Sequence, residues 1–149
     1  MILKDVVKVR ESSADGVKIP WDETNEVGFI VKYCGKDSIT KARKASSVKK
    51  LNPKTHQYED NLDDEKFDYA IMNSTITGWW GLKGKHLKEI LDPRVDVSEI
   101  APEEIVEFTP ENLDFIIKNY NLTFSRFVSG ASLDIEVYNA HQEETEIKN

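Results

Sequence analysis

The sequence predicts an α+β domain: a small N-terminal antiparallel sheet followed by a mainly helical C-terminal two thirds with a helical hairpin. Three observations carry this. Val27 to Cys34 is a run of β-branched and aromatic residues, preceded by Thr24-Asn25 and closed by Gly35, which is strand chemistry. Leu113, Ile116, Ile117 and Tyr120 recur at i, i+3, i+4 and i+7, the spacing of one helix face. Phe124, Phe127, Val128, Ala131 and Ile135 make a second stripe soon after. With 149 residues the chain suits one domain with a sizeable core. Residues 1–140 are read as that single α+β domain, and 141–149 as a polar, frayed tail.

Val6-Val7-Lys8-Val9 reads as a short strand, and Ser12 to Gly16 as turn chemistry. Val17 to Trp21 is a second extended piece, which Pro20 keeps at a sheet edge. Trp21 covers that edge or joins the core. Asp37 can cap a helix from Ser38 towards Lys50, thinly apolar and strongly basic through Lys36, Lys41, Arg43, Lys44, Lys49, Lys50 and Lys54. Those cations suit a solvated face or a docking face for an acidic partner or nucleic acid. Asn52-Pro53 breaks the helix, and His56 to Leu62 reads as an exposed loop. The acids Asp60, Asp63, Asp64 and Glu65 then stand where negative charge favours a helix start, ahead of a helix from Phe67 to Ile76.

Gly78 reads as the end of that helix, with Trp79-Trp80 in a turn. Two adjacent tryptophans on a regular element point different ways, so one is expected in the core and one at the surface. Arg94 to Glu107 reads as an irregular acidic excursion. Thr109 is an N-cap candidate, Pro110 fits the first helical position and Glu111 the first turn. The two helices that follow are expected to pack as a hairpin on the Phe67 helix and one sheet face.

Composition removes several function classes. No apolar run approaches the ~18 residues that span a bilayer. An acid at Asp5 comes too early for a signal peptide, so a cytoplasmic protein without a membrane partner is expected. Cys34 is the single cysteine, which leaves no intrachain disulfide or thiolate cluster, and its place after an apolar run suits a buried thiol. A net charge of −7 argues against nucleic acid as a general partner of the surface. His56, His86 and His141 are scattered, so no zinc spacing arises. The acids before Phe67 do not follow the calcium-loop pattern. Gly78, Gly81, Gly84 and Lys85 miss the phosphate-loop spacing, and no Gly-x-Ser-x-Gly turn is present. Catalytic, cofactor and metal residues are accordingly expected to be none.

One nucleic-acid motif survives. Gly81 to Leu91 looks like the hairpin of a helix-hairpin-helix module, where glycine N–H groups meet a phosphate and Lys83, Lys85 and Lys88 add charge. Trp80 stands where that module prefers a small aliphatic residue.

The order of features in residues 26 to 135 resembles the small tail assembly chaperones of long-tailed bacteriophages and prophages. Ile76-Thr77-Gly78-Trp79 is similar to that family's helix running into a Trp-x-Gly turn. A variable insert leads to Phe108-Thr109-Pro110-Glu111-Asn112-Leu113, like the family's segment at the start of its hairpin, and Phe124 and Phe127 stand in the partner helix. The long insert from Lys83 to Glu107 and the doubled tryptophan depart from the pattern. The resemblance implies a protein without catalytic activity that binds the hydrophobic, helical tape-measure protein, keeps it soluble, and helps tail-tube protein polymerise around it. Self-association is compatible with that role. Trp79, Trp80, Phe124 and Phe127 are the natural anchors for an amphipathic partner helix, because aromatics dominate such contacts, although each also suits a core. The helix-hairpin-helix nucleic-acid binder is the alternative. Another phage structural or accessory protein, such as a tail terminator or connector, comes after it, and an enzyme last.

Overall fold

Phe29 is fully buried at the centre of the molecule, and the elements arrange themselves around it in a computed structural model that describes residues 1–7 and 16–148. A one-turn helix, α1 (Leu3–Val6), precedes β1 (Val17–Pro20) and β2 (Gly28–Val31). These pair antiparallel with Ile19 opposite Phe29. The third strand of the sheet is β5 (Ile76–Trp80), which pairs with β2 on its other side and places Trp79 opposite Phe29. Ile19, Phe29 and Trp79 therefore form one row across one face, as the twofold side-chain period requires. Trp21, Phe124 and Phe127 roof that row, with ring centroids 4.9–6.1 Å apart.

Between β2 and β5 the chain makes α2 (Lys36–Ser46), a second sheet of β3 (Ser47–Leu51) and β4 (Tyr58–Leu62), and α3 (Asp64–Thr75). Asp63 caps α3 by accepting the Lys66 N–H at 3.1 Å, and α2 and α3 lie side by side. After β5 come α4 (Gly84–Ile90), a long irregular segment, α5 (Pro110–Asn119), α6 (Leu122–Leu133) and α7 (Ile135–Lys148). Thr109 accepts the Asn112 N–H and Asn121 that of Phe124, so side-chain caps set the starts of both α5 and α6. α5 rests on α3 and α6 on β2 and α4. Leu113, Ile116, Ile117, Phe124, Val128 and Ala131 are all buried in one core with the sheet.

The α+β class stands as expected, with five departures. The sheet is not wholly N-terminal: Ile76 to Trp80 is its third strand, so Gly78 lies inside a strand and α3 stops at Thr75. Strand pairing with β2, a partner nearly fifty positions away, overrides the local turn signal of the glycines. The basic helix ends at Ser46, where Ser47 turns extended, and residues 47–51 and 58–62 form a hairpin in place of helix and loop. Leu3 to Val6 is helical, so a strand beginning at Val6 is not formed, and Lys8 and Val9, with the turn from Ser12, lie outside the described residues. Gly84 to Ile90 is a helix within the insert. The polar tail from His141 belongs to α7, which runs to Lys148. Gly81 has φ +65° and leads out of β5; a side chain there would also overlap the Glu26 carbonyl.

Two predictions follow from the packing. Phe124→Ala removes a fully buried ring from the roof of the sheet. It should cost about 3–5 kcal/mol in urea unfolding, whereas Leu122→Ala, at an exposed position beside it, should cost less than about 1 kcal/mol. The second concerns α7. The Tyr138 hydroxyl donates to the Val31 carbonyl at 2.9 Å, and its ring stacks at a tilt on Tyr33. Burial first, then the nearby Asp134 and Cys34, push its pKa up from 10.0 to about 12. The neutral phenol is thus the folded form, and the stability it contributes is present below pH 10 and lost between pH 10 and 12. The urea midpoint of the wild type should fall more steeply across that window than that of Tyr138→Phe.

Candidate functional site

An open apolar groove lies where the sequence reads as an excursion. Residues 92–109 do not wander; they are fastened to β5 and α4 at several points. The Trp79 indole N–H donates to the Val106 carbonyl at 2.8 Å, and the Val106 N–H donates to Leu82. Lys83 and Ile105 form an isolated antiparallel bridge. Gly84 and Lys85 donate their N–H groups to the carbonyls of Glu104 and Pro102. Glu103 accepts from Lys83 at 2.8 Å and meets Lys85 at 3.2 Å, and these bonds hold its carboxyl below the usual glutamate range. Asp92 and Asp96 each turn back to cap a local N–H, of Arg94 and Ser98.

Held this way, the segment forms one wall of a groove of about 410 Å³. Leu87, Leu91 and Ile116 are its buried floor, from α4, the α4 terminus and α5. Val95, Val97 and Ile100 line the wall, while Phe115 and Ile105 stand at the mouth, 51% and 71% exposed. Three acids, Asp96, Glu104 and Glu107, belong to the lining, and no basic side chain does. Such a surface accepts an apolar stripe and favours positive charge at its flanks; it holds no nucleophile and base in contact.

A larger cleft, about 630 Å³, opens beside it around Tyr69, Arg94, Lys118 and Tyr120. Several of its polar groups are paired with one another or with neighbouring acids. Tyr69 donates to Asp114 at 2.6 Å, Lys118 pairs with Asp114 at 3.0 Å, Tyr120 donates to Asp68, and Arg94 pairs with Asp92. Among the described residues no group of three His, Cys, Asp or Glu side chains is placed to hold a metal ion. Cys34 is buried, and desolvation pushes its thiol up, away from the reactive thiolate. No helix of the described residues is long and apolar enough to cross a membrane.

The four aromatic anchor candidates do not form one surface. Trp79 and Phe124 belong to the core, with Phe124 fully buried, so neither ring is free to meet a partner while the fold is intact. Phe127 is half-buried against Trp21, 4.9 Å away, and belongs to the roof of the sheet. Trp80, like Phe127, is partly exposed. The strand alternation sends it to the face opposite Trp79, over Gly28, where its indole donates to Asn25 and Lys18 lies 5.7 Å from its ring. None of the four lines the groove. Val95, Val97, Ile100 and Val106, apolar residues spaced through an acidic stretch, are the signal that points to it.

The helix-hairpin-helix geometry is absent from this segment. A strand, not a helix, enters the Gly81 turn, and the N–H groups of Gly84 and Lys85 already bond to the excursion. The Ala101 carbonyl fills the space over Gly84, and Lys83 and Lys85 are drawn to Glu103. Of the three proposed phosphate contacts only Lys88, exposed on α4, remains uncommitted to an ion pair.

No family model matches the chain, and the search of curated proteins and that of solved structures likewise found no match.

Labelled duplex DNA titrated with the protein should show no salt-dependent anisotropy change. Binding that weakens steeply with salt and vanishes on replacing Lys83, Lys85 and Lys88 with glutamine would reinstate the phosphate contacts.

Proposed function

We propose that this protein is a tail assembly chaperone of a long-tailed bacteriophage or prophage. In this reading it is a binding protein without catalytic activity, working in the cytoplasm of the bacterial host. It holds the tape-measure protein in soluble form while tail-tube protein assembles around it. The observation that carries the reading is the groove between residues 95–107 and α5: an apolar floor, exposed Ile105 and Phe115 at the mouth, and acids without a base in its lining. An amphipathic helix with a basic flank is the partner such a groove fits, by laying its apolar stripe on the floor. The resemblance of residues 26 to 135 to those chaperones supplies the identity of the helix, a segment of the tape-measure protein. The aromatic anchors named from the sequence give way to groove residues, because Trp79 and Phe124 are committed to the core. The nucleic-acid alternative has lost the backbone donors on which it stood.

Co-expression with the tape-measure protein encoded in the same genome tests the reading. The wild type should keep that protein in the soluble fraction and co-purify with it. Ile105→Asp with Phe115→Asp should abolish both effects, while costing the chaperone itself less than about 1 kcal/mol, as is usual at exposed positions. Trp80→Ala, outside the groove, should leave both intact. A tape-measure protein whose solubility does not respond to the chaperone, or responds equally to the groove variant, would overturn the assignment and favour another phage structural or accessory role.

A further inference from the structure

The β3–β4 hairpin is an element that the groove does not use. It is a ribbon of two five-residue strands in continuous register, Ser47 opposite Leu62 through Leu51 opposite Tyr58. It belongs to no larger sheet: among the described residues neither outer edge is paired. Every residue of β4 and all of β3 except Val48 is exposed, including Leu51, Tyr58 and Leu62. A two-stranded ribbon in water is marginal, and a third strand is the usual remedy. The devices that normally blunt a free edge are few here. Neither strand contains proline, and the register has no bulge. What the edges do carry is charge, and of opposite sign: Lys49 and Lys50 on β3, Glu59 and Asp60 on β4.

That arrangement selects a partner. Two β3 edges brought together would set lysine beside lysine, and two β4 edges acid beside acid. Only β3 against β4 is attractive, and the chain already displays the pairing internally, with Lys49 opposite Asp60 and Lys50 opposite Glu59. We propose that the ribbon pairs edge to edge with the same ribbon of a second copy, β3 of one chain against β4 of the next. Repeating the internal register would again set each lysine opposite an acid and Leu51 opposite Tyr58. The contact is heterologous, so each added copy leaves one edge free and assembly continues into an open chain or closes into a ring. The inference does not depend on what occupies the groove.

Sedimentation velocity across a concentration series tests it with three charge variants. Lys49→Glu with Lys50→Glu makes both strands acidic, and Glu59→Lys with Asp60→Lys makes both basic. Each alone should associate at least about tenfold more weakly than wild type, because two cross-strand pairs turn from attractive to repulsive. Mixed one to one, they should associate again. The four-residue exchange keeps the internal pairs and should assemble like wild type, which separates loss of the contact from loss of the hairpin. A wild type that stays monomeric would overturn the proposal. So would two-residue variants that assemble unchanged, a mixture that does not associate, or a four-residue exchange that stays monomeric.

Discussion

Everything else in this fold depends on the ring stack built on Phe29. β2 is only four residues long, too short to organise a domain through backbone pairing alone. Its strength lies in one side chain that meets Ile19 and Trp79 across the sheet, and Trp21, Phe124 and Phe127 above it. Edge-to-face and tilted aromatic pairs add about 0.5–1.5 kcal/mol each beyond the area they bury, and they are directional. They therefore fix how α6 sits on the sheet as well as how firmly. The same stack reaches the groove. Trp79 is fully engaged on its Phe29 side, 6.1 Å between centroids, while its indole N–H is spent on the Val106 carbonyl and its ring meets Phe108 at 4.8 Å. One tryptophan thus joins the core to the wall of the candidate binding surface, so that wall is positioned before any partner arrives.

Local signals were legible in the sequence, and non-local ones were not. The start of α5 could be read because Thr109, Pro110 and Glu111 act within one turn, and the structure realises the cap with an Asn112 N–H bond of 3.1 Å. The core assignment of Leu113, Ile116 and Ile117 followed from periodicity alone and holds. β5 could not be read this way. Thr77-Gly78-Trp79-Trp80-Gly81 carries turn residues, and it becomes a strand only because β2 offers a pairing edge. The division of Trp79 from Trp80 was nevertheless predictable, since alternation in any regular element sends adjacent rings apart. β3 and β4 escaped for the opposite reason. They lack the apolar alternation of a half-buried strand because neither face is buried, and Lys49-Lys50 reads equally well as the end of a basic helix.

The candidate site was the least legible part, and the physical reason is that it is made of loop. Nothing in Val95, Val97 or Ile100 singly marks a groove; each becomes a wall only through hydrogen bonds that Gly84 and Lys85 donate to, and Leu82 accepts from, residues up to 24 positions along the chain. The lysines illustrate the hazard of reading charge without geometry. Lys83 and Lys85 beside two glycines suggest a phosphate contact, yet their role is to clamp Glu103 and so hold the loop. Exposed pairs of this kind contribute little to stability. Their effect is positional, pinning the segment three residues before Val106, where Trp79 holds it.

Charge segregation links the two surfaces. Residues 36–54 contain Lys36, Lys41, Arg43, Lys44, Lys49, Lys50 and Lys54 against Asp37 alone, a net +6, so a chain of net −7 carries −13 over its remaining residues. The net value therefore understates the fields at the surface. Acids without a base line the groove, which disfavours an acidic occupant, while the cations gather on α2 and β3. Screening confines such fields to about 8 Å at physiological ionic strength, so they act at contact and not at long range. At contact they discriminate. A cationic flank is favoured at the groove, and at the ribbon unlike edges attract while like edges repel. In the contacts proposed for both surfaces, specificity rests on where the charges lie, with the apolar residues between them supplying the adhesion.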